Sequence, residues 1–323
     1  MKKDYYIFKS GDLKRKDFNI VLSVDGKDNI LPLNTIDNIF VYSKININSD
    51  CINYLGEQNI NVHFYDHYDN YRSTLSGVGM QHSGNTHIFQ ASHYLDNEKR
   101  LYIASEFIKS AMWHMNKNLI EYNIGIPSDV MDTYYKSLDS CVTTNEIMGI
   151  EGNFRKKYYE NFDIIIKKFK FVKRSKRPPL NEINALISFG NSLCYNYCLN
   201  AIKQTYLNST ISFLHECGDR RHSLSLDLAE IFKPIIIDRI IFKLINNSSL
   251  KSCHFDLHDT FCLLKEDGKK IFIKEIEDKL NTTFFHRKMN KNVSYKSLIK
   301  YEAYKLCKHI MGVEKYEALK MNW

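Results

Sequence analysis

The sequence predicts an α+β protein in which a small N-terminal β-sandwich-like domain precedes a larger all-helical domain. Up to about residue 75, short runs of β-branched and aromatic residues alternate with turn-forming segments. From about Ile88 onwards, apolar residues instead recur at spacings of three and four, as in amphipathic helices. Between these regions lies SGVGMQHSGNTH, which contains three glycines. We therefore predict domains at residues 1–75 and 88–323, joined by a linker at 76–87.

The predicted strands of the first domain are short and rich in residues that favour extended backbone. They lie in YYIF, NIVLSV, IDNIFVYSKINI and INVHFYD, and the segments SGDL, DGKDN and DNYRS are predicted turns. Such closely spaced strands indicate antiparallel pairing in a sandwich or roll. INSDCINYLGEQ is predicted to form one short helix before the last of these strands.

The second domain begins with a long amphipathic pattern, NEKRLYIASEFIKSAMWHMNKNLIEYN. Pro178 and Pro179 later interrupt the helical pattern, because proline lacks the backbone N–H that a helix interior needs. Further predicted helices lie in DVMDTYYKSLDSCV, TNEIMGIEGNFRKKYYENFDIII, LNEINALISFGNSLCYNYCLNAIKQTY, SLDLAEIFKPIIIDRIIFKLI, KKIFIKEIEDKLN and VSYKSLIKYEAYKLCKHIMG.

Composition indicates a soluble globular protein, since 44% of the 323 residues are hydrophobic and 25% are charged. No run approaches the roughly 18 apolar residues that span a bilayer, and MKKDYYIF does not resemble a signal peptide. The eight cysteines form no CxxC pair, which favours free thiols in a reducing compartment. We therefore expect a cytoplasmic protein without a membrane partner.

The basic charge is concentrated in one segment. The ten Lys and Arg residues between Asn153 and Arg177 exceed its acidic residues by eight, which equals the net charge of the whole chain, +8. Aromatic residues interleave with these cations, a pattern typical of surfaces that bind phosphates and stack bases. The segment therefore predicts nucleic-acid binding, with a solvated helix face and loop as the alternative. The aromatic residues are Tyr158, Tyr159, Phe169 and Phe171.

The stretch FLHECGDRRHSLSLDLAEIFKP contains the first group of candidate metal ligands. Asp227 and Glu230 are three residues apart, so a helix places both carboxylates on one face. Carboxylate oxygens suit Mg²⁺ or Mn²⁺, and the nearby imidazole of His215 favours Mn²⁺. The alternatives are a core or capping histidine and an ordinary acidic helix face. One short stretch seldom closes a metal site, so another segment must contribute.

Glu151 is the candidate from a second segment, NEIMGIEGNFRKKYY. Gly149 and Gly152 lie near it within a helical pattern, where each glycine costs about 1 kcal/mol relative to alanine. This cost indicates close approach of another backbone or a ligand, although Glu151 on its own reads as a surface carboxylate. A third motif, RSKRPPLNEINALISFGNSLCYNY, predicts a basic loop followed by a buried helix that carries Asn191 and Tyr195.

Four features occur in a fixed order over nearly the whole chain. They are the strand-rich start, GIEGNFRKKYY, KRPPLNEINALISFGNSL and LHE…RHSLSLDLAEIFKP. Together they resemble the CRISPR-associated protein one family, the integrase subunit of CRISPR adaptation. The resemblance implies a metal site at Glu151, His215 and Glu230. Asp227 matches a nearby acidic position that is either a fourth ligand or a partner of one. Position 230 is Glu here and Asp in some relatives.

The activity that this resemblance implies is metal-dependent cleavage and joining of DNA with Mg²⁺ or Mn²⁺. The 3′-hydroxyl of a short duplex attacks a phosphodiester at the edge of a CRISPR repeat, and water replaces that hydroxyl in hydrolysis. Arg220 and Arg221 are expected to neutralise charge near the metal. Other residues expected to contact DNA phosphates are Arg155, Lys156, Arg174, Lys176 and Arg177.

The partners implied by the resemblance are double-stranded DNA, namely the prespacer and the CRISPR repeat, and two kinds of protein. We expect a homodimer formed largely through the β-domain, and a small ferredoxin-fold adaptation subunit. The tail EALKMNW, which includes Met321 and Trp323, either docks that subunit or packs as a simple terminus. Two other functions remain open: a structure-specific nuclease that never integrates, and a non-enzymatic basic DNA-binding protein.

Overall fold

The computed structural model describes residues 2–66, 68–77, 83–218, 222–286 and 289–321. The chain divides into two compact units, Met1–Met80 and Gln81–Trp323. The described part of the first is strand-rich and that of the second is mainly helical, so the predicted α+β class is confirmed. We call them the strand-rich unit and the helical unit.

The described residues of the strand-rich unit form two four-stranded sheets. In spatial order, one contains β1 (Lys3–Ile7), β5 (Ile36–Val41), β7 (Asn61–Tyr65) and β8 (Tyr71–Leu75). The other contains β4 (Lys27–Pro32), β3 (Asn19–Val24), β2 (Gly11–Lys16) and β6 (Ile45–Ile47). The predicted helix is present as α1 (Ser49–Glu57), and its first turn is capped because the Asn48 side chain accepts a hydrogen bond from the backbone of Cys51.

Apolar residues from both sheets form one core in this unit. Leu13 and Ile20 come from the second sheet, Ile36 and Ile39 from the first, and Leu55 from α1. All five are fully buried. Burying such side chains contributes roughly 1.5–3 kcal/mol each, so this shared layer makes the unit sandwich-like.

Two details of the strand prediction are wrong. The strands are not all antiparallel, since β1–β5, β5–β7 and β2–β6 are parallel pairs. Parallel neighbours need crossover connections, which short-range sequence signals do not specify. The predicted turn DNYRS extends only to Asn70, whose backbone N–H donates to Asp66, and β8 begins at Tyr71.

The helical unit extends further towards the N-terminus than predicted. Its first helix, α2, begins at Gly84 within the predicted linker, while residues 78–82 lie outside the described part. The described helices are α2 (Gly84–Leu95), α3 (Asn97–Glu121), α4 (Ser128–Asp139), α5 (Thr144–Glu160), α6 (Phe162–Ile165), α7 (Glu182–Lys203), α8 (Ser223–Phe232), α9 (Arg239–Asn246), α10 (Glu266–Asn281) and α11 (Tyr295–Ile310). Across the described stretches, no helix combines the length and apolarity needed to cross a bilayer.

A π-helical segment, Lys233–Asp238, continues α8 into α9. The helix α7 packs closely against this segment and against α10, since a Cβ added at Gly190 would lie 2.5 Å from Ile237 and 3.0 Å from Phe272. Glycine in the SFGNS motif thus permits this approach. Wider π turns often occur at functional sites, and this one places Lys233 directly after the helix that carries Glu230.

The helical unit is not all-helical, contrary to the prediction. Two antiparallel pairs join its later helices: β9 (Phe255–Leu257) with β10 (Cys262–Leu264), and β11 (Thr283–His286) with β12 (Lys291–Ser294). These strands are three or four residues long, which is too short for a clear period-two pattern.

The C-terminal tail packs into the helical unit as far as Met321. The Tyr316 hydroxyl donates to Glu302 at 2.8 Å, and the Met321 backbone N–H donates to His114 Nε2 at 3.0 Å. Met321 is buried, so this part of the tail forms a simple packed terminus. Trp323 lies outside the described residues.

Candidate active site

Two helices of the helical unit bring the predicted carboxylates together. Glu151 lies on α5, and Glu230 lies on α8. The helix α3 packs against both α5 and α8, which holds these two helices side by side. At the start of α5 the Thr143 side chain accepts a hydrogen bond from the Glu146 backbone and fixes where the helix begins. The prediction that distant segments meet here agrees with this geometry.

Arg155 bridges the two carboxylates. Its Nε donates to Glu151 Oε1, one turn earlier on α5, and its Nη2 donates to Glu230 Oε2 at 2.6 Å. Lys233 Nζ donates to the other oxygen of Glu230, Oε1, at 2.5 Å. The four side chains are between 8% and 19% exposed. They form a mostly buried chain of alternating charge, which we call the ion chain.

The neighbouring charges keep Glu230 and Lys233 ionised. Burial favours the neutral form of Glu230, but the positive charges of Lys233 and Arg155 outweigh this effect and lower its pKa to about 2. Burial likewise favours the neutral amine of Lys233, yet the charge of Glu230 raises the pKa of that amine. Glu230 is therefore an anion at neutral pH.

Asp227 orients His215. Its carboxylate is fully buried, and it accepts the backbone N–H groups of Phe213 at 2.7 Å, Leu214 at 2.9 Å and His215 at 3.1 Å. Asp227 Oδ1 also lies 2.7 Å from His215 Nδ1. Both oxygens of Asp227 are thus engaged in holding the loop and the ring. Of the two roles expected for Asp227, this geometry favours the partner of a ligand over the fourth ligand.

His215 belongs to the same electrostatic cluster as Glu230. Burial alone lowers the pKa of the imidazole, but the hydrogen bond to Asp227 and the negative charges of Asp227 and Glu230 raise it overall. In turn, the charge of His215 contributes to the low pKa of Glu230. Since Asp227 holds Nδ1, the other ring nitrogen, Nε2, is the atom left to serve as a metal ligand.

The chemistry of this donor set fits a divalent cation, but its present arrangement does not enclose one. Two carboxylates and an imidazole suit Mg²⁺ or Mn²⁺. Within the residues that the structure describes, however, no group of three His, Cys, Asp or Glu side chains is placed to hold a metal. Arg155 lies between Glu151 and Glu230 and contacts both. The assignment of His215 as a ligand with them remains a prediction.

The glycines beside Glu151 do not mark close packing against the described part of the chain. A Cβ added at Gly149 or Gly152 would meet nothing within 4 Å. The expectation that another backbone approaches them is therefore wrong for the described residues. Open space on this side of Glu151 leaves the other alternative, approach of a ligand.

The predicted DNA-contacting cations fall into different environments. Arg174 is half-buried and donates to Asn184 Oδ1 at 2.9 Å and Ser188 Oγ at 3.2 Å, which ties the basic loop to α7. Arg155 is engaged in the ion chain. The exposed members of the set are Lys156, Lys176 and Arg177, whereas Arg220 and Arg221 lie outside the described residues.

The charges of the candidate site act on Lys176. Lys176 is exposed as a residue, yet desolvation of its ammonium group and the positive charges of Arg174, Lys233 and Arg155 lower its pKa. The charge of Glu151 acts on Lys176 in the opposite direction.

Three of the four aromatic residues of the basic segment are core residues rather than base-stacking surfaces. Tyr158, Tyr159 and Phe171 are buried and pack around Phe162. Phe169 packs edge-to-face against a ring of the β9–β10 pair. The prediction of stacking aromatics is therefore wrong for Tyr158, Tyr159 and Phe171, because their rings are buried.

A buried polar network of Asn118, Tyr158 and Asp238 adjoins the ion chain. The Tyr158 hydroxyl donates to Asp238 at 3.0 Å, and Asn118 donates to that hydroxyl at 3.1 Å and to the Pro234 carbonyl at 2.8 Å. Burial raises the pKa of Asp238 to about 6. The network connects α3 and α5 to the π-helical segment.

Some residues of the site were not identified from sequence. Lys233 follows Glu230 at a spacing of three, a signal for an ion pair on a helix, but the π turn was not predictable. Lys233 also lies 4.9 Å from the centre of the Tyr195 ring. A groove of 420 Å³ between α4 and α5 opens beside Ile150, the neighbour of Glu151. It is lined by Tyr134, Ser137, Ile150, Asn153, Lys156, Lys157 and Glu160.

Comparison with known proteins identifies relatives along the whole chain. A sequence model described as CRISPR associated protein Cas1 matches residues 5–278. A curated relative from Thermodesulfovibrio yellowstonii, named CRISPR-associated endonuclease Cas1 3, is 43% identical over 99% of this chain and 100% of its own.

Solved structures share the fold. A Cas1 protein from Thermotoga maritima is 35% identical with a TM-score of 0.88, covering 99% of this chain and 100% of that one. A casposase bound to integration product is 22% identical with a TM-score of 0.88, covering 99% and 93%. A chain of a Cas6-RT-Cas1–Cas2 complex is 14% identical with a TM-score of 0.82, covering 100% of this chain and 36% of that one. The last two likenesses show a shared fold alone.

Proposed function

This chain belongs to the Cas1 family of CRISPR-associated proteins, and from that premise we propose that it is a metal-dependent DNA endonuclease and integrase. In this proposal it inserts short foreign duplexes as new spacers at a CRISPR repeat. The observation that carries the proposal is the meeting of Glu151 and Glu230 on one guanidinium, beside a histidine oriented by Asp227.

Glu151, His215 and Glu230 would hold a divalent cation. When bound, Mg²⁺ or Mn²⁺ supplies a Lewis acid that stabilises negative charge on the reacting phosphate. Asp227 fixes the His215 ring through the 2.7 Å contact at Nδ1, which leaves Nε2 available for the cation. Lys233 holds Glu230 by one oxygen, which orients the carboxylate.

The joining reaction is a transesterification. The 3′-hydroxyl oxygen of the incoming strand forms a new bond to phosphorus, and the bond from phosphorus to the 3′-oxygen of the repeat strand breaks. The proton of the attacking hydroxyl is lost, and the leaving 3′-oxygen gains one. With water as the nucleophile, the same exchange is hydrolysis, consistent with the word endonuclease in the relative's name.

The exposed cations near the site would bind the DNA backbone. Lys156, Lys176 and Arg177 are exposed, and the α4–α5 groove adds Lys157. Contacts of lysine and arginine with phosphates give strong salt dependence and little sequence preference. Sequence choice at the repeat would then depend on duplex shape and on partner proteins.

The proposed partners are a second copy of this chain, associated largely through the strand-rich unit, and a small ferredoxin-fold adaptation subunit. The resemblance in sequence motifs implies both. Joining two ends of one duplex needs two active sites at a fixed separation, which an oligomer provides. The likeness to a chain of a Cas1–Cas2 complex supports the second partner at the level of shared fold.

A strand-joining assay tests this function. Purified full-length protein is mixed with Mn²⁺, a short duplex with free 3′-hydroxyls and a plasmid that carries a repeat, with and without the adaptation subunit. We expect covalent joining that disappears when the duplex ends in 3′-deoxynucleotides. Cleavage without joining under all conditions would instead favour the structure-specific nuclease, whereas DNA binding without either reaction would favour the non-enzymatic protein.

A further inference from the structure

We propose that Arg155 is a built-in counter-cation that holds Glu151 and Glu230 together before a metal binds, and that a divalent ion binds by displacing it from Glu230. This inference rests on the proposed metal dependence and adds a defined role for one residue of the same site. Arg155 is thereby a positioning residue rather than a phosphate contact.

The geometry fits such a role. Arg155 and Glu151 are one turn apart on α5, so their contact is local, whereas the Nη2 contact reaches Glu230 on α8 at 2.6 Å. The planar guanidinium presents several N–H donors in fixed directions and bridges two carboxylates better than a lysine does. Arg155 is 15% exposed and Glu230 is 9% exposed, so water screens their interaction poorly.

The charges of the ion chain balance without a metal. Glu151 and Glu230 contribute two negative charges, and Arg155 and Lys233 contribute two positive ones. Two buried carboxylates without such partners would repel each other. In the folded chain each carboxylate is instead paired with a cation in the absence of a metal.

Arg155 occupies one oxygen of each carboxylate that would hold a divalent ion. The guanidinium binds Glu151 Oε1 and Glu230 Oε2, while Lys233 binds only the other oxygen of Glu230. An ion placed between the two carboxylates would lie against the guanidinium, and like charges at such a distance repel strongly. Binding is therefore an exchange of one cation for another, and Lys233 continues to orient Glu230 from its own helix.

Calorimetric titration of the full-length protein with Mn²⁺ alone tests this exchange. Arg155→Met keeps an unbranched side chain that favours helix and removes the competing charge. We expect it to bind Mn²⁺ about tenfold more tightly than the wild type, equivalent to about 1.4 kcal/mol. The matched control is Arg72→Met, which removes an arginine paired with Asp66 at 2.5 Å in the strand-rich unit and should leave the Mn²⁺ affinity unchanged.

Thermal unfolding gives a second measure on the same proteins. Without metal, Arg155→Met should have a lower Tm than the wild type, because its carboxylates lack their partner. With Mn²⁺ its Tm should rise by more than that of the wild type, since tighter binding to the folded state stabilises it further. An affinity equal to or weaker than that of the wild type would overturn the inference.

A crystal structure of the wild type grown with Mn²⁺ avoids dependence on a destabilised variant. We expect Arg155 Nη2 to lie beyond hydrogen-bonding distance of Glu230 when the ion is bound. Retention of that hydrogen bond beside a bound ion would overturn the proposed displacement. If Glu151→Gln abolishes Mn²⁺ binding but Arg155→Met does not strengthen it, the role of Arg155 is rejected while the metal site stands. Absence of Mn²⁺ binding in all three proteins rejects the proposed metal dependence as well.

Discussion

Asp227 holds the imidazole of His215 through a 2.7 Å contact between Oδ1 and Nδ1, and it does so from a fully buried position. The same carboxylate accepts three backbone N–H groups of the loop that carries the histidine. Loop position and ring orientation therefore depend on one side chain of α8. This arrangement resembles the carboxylate–histidine pairs that orient metal-binding histidines in general.

Asp227→Asn should impair the reaction more than the fold. The amide oxygen can still accept the backbone N–H groups of Phe213 and Leu214, but the amide nitrogen cannot accept from the His215 backbone or ring, and the negative charge beside the ring is lost. Removing such a partner typically costs about 10–100-fold in metal affinity or activity. Mn²⁺ titration and strand-joining rates would measure this loss, and wild-type values for both in the variant would contradict the assigned role.

Asp227→Ala is the companion variant, in which the fold should suffer as well. It leaves three backbone N–H groups without their acceptor in a buried loop, and each unsatisfied group costs roughly 1–3 kcal/mol. Urea unfolding should therefore show a much lower free energy of unfolding for Asp227→Ala than for Asp227→Asn. Equal values would mean that these hydrogen bonds do not stabilise the loop.

The titration of Asp238 should be visible in the stability of the protein. Burial raises its pKa from 3.8 to about 6, so the folded state binds a proton more tightly than the unfolded state does. This contribution to stability is fully present below about pH 3.8 and is lost as the pH rises to about 6. The variant Asp238→Asn does not titrate, so it should not lose this stability as the pH rises. Its amide oxygen can still accept the hydrogen bond from Tyr158.

Chemical denaturation of both proteins between pH 3.5 and 7, a range chosen as roughly spanning the two pKa values, measures this effect. The free energy of unfolding of Asp238→Asn should rise relative to the wild type up to about pH 6 and then stay level. Parallel curves across this range would show that Asp238 titrates as it does in the unfolded chain.

Arg174 and Lys176 should differ in their effects on DNA binding. Lys176 is exposed, so Lys176→Met should weaken binding across sequences and reduce the slope of log affinity against log salt by about one. Arg174 ties the loop to Asn184 and Ser188, so Arg174→Met should instead lower stability. Fluorescence anisotropy at several salt concentrations, with thermal unfolding, separates these effects, and a reversed pattern would contradict the placement of the two side chains.

Phe171→Ala tests whether the aromatic residues of the basic segment belong to the core. Phe171 is 3% exposed and packs on Tyr159 and Phe162. Truncating a buried phenylalanine typically costs about 3–5 kcal/mol of stability. We expect a loss of this size in urea unfolding. A large loss of affinity for single-stranded DNA with unchanged stability would restore the base-stacking interpretation.

The sequence predicted the parts of this fold whose signals are local. Long amphipathic patterns gave α3, α7 and α11, because a helix buries one face at a regular spacing. The parallel pairing of β1 with β5 was not predicted, since it depends on crossovers between distant segments. The short strands β9 to β12 were missed because three or four residues carry little periodic signal.

For the candidate site, sequence motifs identified the residues but not their contacts. Glu151 and Glu230 were selected because their motifs resemble a family, and their approach within the fold agrees with that selection. Residue types alone did not predict that Arg155 would bridge them, because an arginine in a basic run also fits a phosphate contact. The roles of Asp227 and Tyr159 likewise depend on burial, which side-chain chemistry alone does not specify.

The central claim is that Glu151, His215 and Glu230 form one metal-dependent site for joining DNA. The most direct measurement compares Mn²⁺-dependent strand joining and DNA affinity in the wild type, Glu151→Ala and His215→Ala. We predict that joining falls by at least about 100-fold in both variants, since losing a ligand should cost more than the roughly 10–100-fold that losing a ligand's partner costs, while DNA affinity stays near that of the wild type. Full joining activity in either variant would contradict the site described here.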